Sequence, residues 1–158
     1  MSPRDVLVLV FAGVAMACST EQPTFSLESA TVDDVYWCPG GARDARYDMH
    51  ATVEAHNGTG KEVTVQSASA ELVLTSVTGT WLESVGDRYD AGAVTVRPAT
   101  VAARSNARLD VTIPSACTSG RWGPRTGSSG SYKVTVKFVT SAGEFAIAAT
   151  NEHKILAA

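Results

Sequence analysis

Three histidines, His50, His56 and His153, are the residues best suited to proton transfer or metal ligation in this chain of 158 residues. His50 and His56 fall on one face of an alternating stretch, but six strand residues hold them about 20 Å apart, too far to share an ion. Glu54 adds a carboxylate near His56, and two ligands on a solvated face make a weak site. Asp33-Asp34, and Asp44 with Asp48, offer oxygens to calcium without the alternating Asp/Asn, central Gly and distal Glu of a calcium loop. Gly127-Ser128-Ser129-Gly130 has the composition of a nucleophile turn but not its spacing, and a flexible linker accounts for it. No strand, Gly-rich turn and helix follow one another to cradle a phosphate. The residues therefore predict no catalytic group, no metal site and no cofactor. A hydrolase with an unrecognised site is the remaining enzymatic alternative.

Aromatic and arginine side chains in irregular segments are a different resource, because Trp, Tyr and Arg carry much of the energy at binding surfaces. Trp122 beside Arg121 lies in a glycine- and serine-rich segment, 118–130, and Trp81 with Tyr89 lies in segment 79–92. These four residues are the candidates for partner contact. The competing placements put Trp122 over a neighbouring disulfide and Trp81 in the core.

Residues 6–17 are apolar or small without interruption, preceded by Arg4 and followed by Cys18. The run is too short for an ordinary transmembrane helix and suits the helical core of a signal peptide. Ala15-Met16-Ala17 satisfies the small-x-small rule of ordinary signal peptidase, which predicts a soluble secreted product. The same residues followed by Cys18 resemble the lipobox of bacterial lipoproteins, with Ala15 where that pattern prefers Leu. The resemblance implies a lipidated Cys18 as the new N-terminus and residues 18–24 as a polar tether. An uncleaved anchor is the third possibility. With Cys18 lipidated, Cys38 and Cys117 remain to pair in an oxidising envelope, which the sequence favours over a metal or reactive pair.

The elements that must position these residues are strands. Val and Thr are abundant, and β-branched side chains favour a pleated surface over a helix. Residues 25–37 read as one or two extended segments, closed by Cys38-Pro39-Gly40-Gly41. Residues 47–56 alternate strictly, with Tyr47, Met49, Ala51, Val53 and Ala55 on one face. Asn57-Gly58-Thr59-Gly60 predicts a hairpin into residues 62–67, and the sheet continues through 70–77. A short strand over 93–96 is broken near Pro98, and alternation over 107–113 stops at Pro114. Residues 132–138 and 145–149 form a second hairpin about Ser141-Ala142-Gly143.

Short antiparallel strands at this spacing predict an all-β, two-sheet sandwich over residues 25–158, with a small closed barrel as runner-up. Asn57, Thr59, Lys61 and Val63-Thr64-Val65 look like the strand, Asn-turn, strand opening of small immunoglobulin-like domains of bacterial lipoproteins. Residues 100–103 leading into 109–114 are similar to later strands of those domains, with Arg104-Ser105-Asn106 in place of a Pro-Gly turn. The resemblance implies an immunoglobulin-like architecture and no single function.

Hydrophobic residues make up 44% of the chain and charged residues 18%, which excludes the composition of a disordered protein. The formal net charge is −3, with Lys and Arg scattered, so nucleic acid is not an expected partner. The expected partners are a membrane, through lipid on Cys18, and an envelope protein. The alternative is a secreted ligand- or metal-binding protein.

Overall fold

The computed structural model describes residues 24–158; the expected signal peptide, Cys18 and the expected tether as far as Pro23 lie outside the described residues. Eleven strands follow in order: β1 Phe25–Val32, β2 Val35–Cys38, β3 Ala45–Asn57, β4 Val63–Thr78, β5 Arg88–Ala91, β6 Thr95–Arg97, β7 Thr100–Val101, β8 Ser105–Cys117, β9 Ser129–Thr140, β10 Gly143–Ala148 and β11 His153–Ala157. A single 3-10 turn, Gly120–Trp122, lies between β8 and β9. Among the described residues no helix is long and apolar enough to cross a membrane.

The strands form two sheets. One has the order β1-β3-β8-β6. The other has the order β2-β11-β9-β4-β5, with β10 also paired to β9 and β7 to β4. β10 and β11 pair with the two ends of β9, so they act as one broken strand along a single flank. β2 lies parallel to β11. In immunoglobulin terms β1, β3, β8 and β6 are strands A, B, E and D. β4, β9 and the β10/β11 pair are C, F and G. The protein is an immunoglobulin-like β-sandwich, and the strand order alone defines it.

Alternation places the core between the sheets. Met49, Val53, Leu109 and Ile113 of one sheet face Leu72, Leu74, Val134 and Phe138 of the other, all buried. Fully burying side chains of this kind contributes roughly 1.5–3 kcal/mol each relative to exposure. The face predicted for residues 47–56 is the core face from Met49 onward.

Two sequence expectations are corrected. β3 does not make a hairpin with β4. Its two neighbours are β1 and β8, and β4 pairs with β9 in the opposite sheet. The Asn57 turn is therefore a crossing between sheets. Pro114 does not end its strand either, because β8 runs on to Cys117. β6 pairs only with Asp110 to Thr112 of β8, so at Pro114 that flank carries no strand and the missing N–H is tolerated there. The hairpin about Ser141-Ala142-Gly143 forms as read, with Gly143 opposite Thr140.

Candidate functional site

The two sheets have distinct ends, which the register defines. Phe25 stands opposite Asn57, and at the far end of β3 Ala45 stands opposite Cys117. The thirteen residues of β3, at about 3.3 Å each, separate these poles by roughly 40 Å. Thr24 enters at the Asn57 pole, where its carbonyl accepts from the Gly58 N–H.

Asn57 closes the entry pole. It is fully buried. Its side-chain amide donates to the carbonyls of Lys61, Val101 and Ala102, while its Oδ1 accepts from the Thr59 N–H and hydroxyl. Asn57-Gly58-Thr59 also spells a glycosylation sequon, but an amide nitrogen bonded to three carbonyls inside the fold leaves no room for a sugar.

The opposite pole is built around the disulfide. Cys38 at the end of β2 and Cys117 at the end of β8 are joined across the two sheets, with Cα atoms 5.9 Å apart. This bridge links strands other than the B and F strands joined in antibody domains. It brings segment 39–44 against segment 118–122, where the Ser119 N–H donates to the Ala42 carbonyl and the Ser119 hydroxyl to the Pro39 carbonyl. Gly120 has φ +68, and a Cβ there would lie 3.0 Å from the Gly41 backbone, so only glycine allows the two segments to close.

Trp122 emerges from this closure with 43% of its surface exposed. The Arg43 guanidinium lies 4.8 Å from its ring centroid and the Arg121 guanidinium 4.4 Å. Both distances are within cation–π range. Arg121 is readable from the sequence as a neighbour of Trp122, but Arg43 is not, because it arrives from a segment nearly eighty positions earlier. Leu82 is exposed at 63% and reaches this pole: a Cβ on Gly123 would lie 3.2 Å from its Cδ1.

Trp81 and Tyr89 are half-buried, in a hydrogen-bonded group distinct from the Trp122 contacts. The Trp81 indole N–H donates to the Tyr132 hydroxyl at 2.9 Å, and that hydroxyl donates to the Glu83 carboxylate. The Tyr89 ring meets Tyr132 edge-on at 6.2 Å, and its hydroxyl lies 3.4 Å from the Ser115 hydroxyl. Burial pushes the phenols of Tyr89 and Tyr132 above their ordinary pKa. Trp81 lies across Gly130, where a Cβ would meet the indole at 2.5 Å. Gly130→Ala is expected to expel Trp81 and cost about 2 kcal/mol, through steric displacement and an unpaired Tyr132. A red-shifted tryptophan emission would report the change, and unchanged emission would show that the ring is not held there.

The histidines do not converge. His50 pairs with Asp33 at 3.1 Å and His56 with Asn106. His153 is buried, donating from Nδ1 to the Asp33 carbonyl and accepting at Nε2 from the Tyr47 hydroxyl. Tyr47 in turn stacks on Tyr36 with centroids 3.7 Å apart. Burial lowers the His153 pKa, against the smaller upward pull of the Asp33 carbonyl and charge. The unfolded chain therefore takes up this proton first as pH falls below about 6.5. Stability contributed here is complete above that pH and lost below it. His153→Gln is expected to flatten that limb of the stability–pH curve in urea titrations, and an identical limb would remove the assignment. Among the described residues no group of three or more His, Cys, Asp or Glu side chains is placed to hold a metal ion.

No protein-family model and no curated protein sequence matches the chain. Solved structures similar to it include AggA, the major subunit of type I aggregative adherence fimbriae from Escherichia coli. That likeness has 10% identity and a TM-score of 0.36, over 85% of this chain and 95% of that one. The CooA pilin subunit from enterotoxigenic Escherichia coli gives 9% identity and a TM-score of 0.32, over 83% and 99%. A human PapD-like domain gives 8% identity and a TM-score of 0.31, over 96% and 98%. The strand order, rather than these likenesses, carries the fold assignment.

Proposed function

We propose that this chain is a non-enzymatic binding or scaffolding module of a bacterial envelope, anchored through lipid on Cys18. The observation that carries the reading is the separation of the two poles. The chain enters the domain at the Asn57 pole, so a tether beginning at Cys18 would hold that pole against the membrane. The exposed Trp122, with Arg43 and Arg121 against it, would then face away, roughly 40 Å out. Trp and Arg at a protruding pole are the residue types that dominate protein contacts. The Cys38–Cys117 bridge supports an oxidising compartment. Trp81 and Tyr89 would support the contact surface from the adjoining network.

The test has two parts. Intact mass of the protein from its native envelope, kept free of reductant, should show a diacyl or triacyl addition on Cys18 and one internal disulfide. An unmodified chain starting at Cys18 would replace anchoring with secretion, the alternative reading. A photo-crosslinking residue at position 122 should then yield a defined adduct in intact cells, while one at Glu54, on the outer face of β3, should not. Equal labelling at both positions would remove the directed-binding reading.

A further inference from the structure

Resting on the binding reading above, we infer that the Trp122 pole recognises an acidic protein segment in which carboxylates alternate with apolar side chains. The first ground is unneutralised charge. The ion pairs among the described residues join His50 to Asp33, Arg88 and Lys137 to Glu71, and Arg108 to Asp110. None includes Arg43, Arg121 or Arg125. Arg43 and Arg121 are instead spread against one indole ring, which neutralises neither. An arginine in that position keeps its in-plane N–H donors free for a carboxylate, and the fork geometry suits two-point contact. Arg125 follows closely, just beyond the turn that the Gly120 N–H closes onto the Pro124 carbonyl.

The second ground is pre-organisation. The bridge, the Ser119 contacts and the Gly120–Gly41 closure hold the Arg43 and Arg121 segments together before any partner arrives. A binding surface ordered in advance loses less entropy on association. The carboxylates of this pole do not fill the role of the missing partner. Glu83 is engaged by the Tyr132 hydroxyl, and Asp44 lines a cleft with Trp81, Leu82 and Pro124.

The third ground separates a protein from an anionic polysaccharide. Leu82 is 63% exposed beside Gly123. A polyanionic glycan would gain nothing from covering this aliphatic side chain. An acidic peptide with interleaved Leu or Phe would bury it while its carboxylates meet the arginines.

The test uses the full mature chain and a labelled synthetic peptide of repeating Asp-Phe-Glu-Leu, followed by anisotropy and tryptophan emission. Binding is expected at low salt, weakening severalfold or more at 0.5 M salt (roughly a 4 Å screening length). Arg43→Gln with Arg121→Gln should weaken binding at least tenfold, and Trp122→Leu should weaken it similarly. All these side chains are exposed, so thermal midpoints serve as the control for folding. Equal affinity for poly-glutamate or alginate would overturn the protein-segment assignment in favour of a general polyanion site. Undetectable peptide binding by a folded wild-type chain would overturn the inference outright. A defined adduct at position 122 in cells, obtained alongside that negative result, would leave the binding module standing and remove only its acidic partner.

Discussion

Replacing Cys38 and Cys117 together by alanine is expected to lower the stability of the domain by about 4.5 kcal/mol. The two residues are 79 positions apart in sequence, and a loop of that length closed in the unfolded chain restricts its entropy by that amount in the chain-entropy model. For a domain of this size the change corresponds to a fall in thermal midpoint of roughly 15 °C. The physical setting favours the full effect, because the bridge joins the ends of β2 and β8 in different sheets and both sulfurs are buried. Reduction of the wild-type chain should reproduce the loss in denaturant titrations. A difference below about 1 kcal/mol between oxidised wild type and the double variant would show that the bridge does not constrain the unfolded chain as argued. The loss should also loosen the Trp122 pole, since segments 39–44 and 118–122 meet beside the bridge. Peptide binding by the reduced chain is therefore expected to fall even below its own melting transition.

Asn57→Ala is expected to cost about 3 kcal/mol, the second largest effect. The substitution leaves the carbonyls of Val101, Ala102 and Lys61 without their donor and the Thr59 N–H without its acceptor. A buried polar group left unpaired costs about 1–3 kcal/mol, and water reaching the outer members of this group reduces the sum. Asn57→Asp separates the roles of the two side-chain atoms. It preserves the acceptor for Thr59 but turns a carboxylate toward three carbonyl oxygens, so it should be at least as damaging as alanine. If Asp were tolerated better than Ala, the amide donors would not be what holds the crossing. Equilibrium urea unfolding of both variants decides this, with Gly60, which has open space around its Cα, as a neutral comparison site for substitution.

Both effects bear on what could be read before the fold was known. The core face of β3 from Met49 onward and the hairpin of β9 and β10 follow from residue alternation, and the two-sheet sandwich from short strands spaced by turn residues. Alternation is a local property, since successive side chains of a strand must point to opposite faces whatever they pair with. Partnership between strands is not local. Asn57-Gly58 carries the chemistry of a tight hairpin turn, yet its asparagine is drawn inward by carbonyls from segment 101–102, and β3 pairs with β8 instead of β4. Pro114 reads as a strand end because its missing N–H is visible in the sequence, whereas the vacant flank that accommodates it is not.

The candidate surface divides in the same way. Trp122 and Arg121 are neighbours in the chain and were recognisable as residues suited to contact. Arg43 is brought to the same ring only by the bridge between β2 and β8 and the packing of glycine on glycine. Trp37, at 66% the most exposed large hydrophobic side chain among the described residues, reads in the sequence as the last residue of an extended segment. It is exposed because β2 is the edge of its sheet and places its odd-numbered residues outward. Local residue pattern predicts the longer alternating strands, their core faces and, with Cys18 lipidated, the two cysteines left to pair, but not β5 or β11. Tertiary structure decided which strands pair, which pole faces away from the chain's entry, and which charges lie on Trp122, because those depend on contacts between residues that chain connectivity leaves far apart.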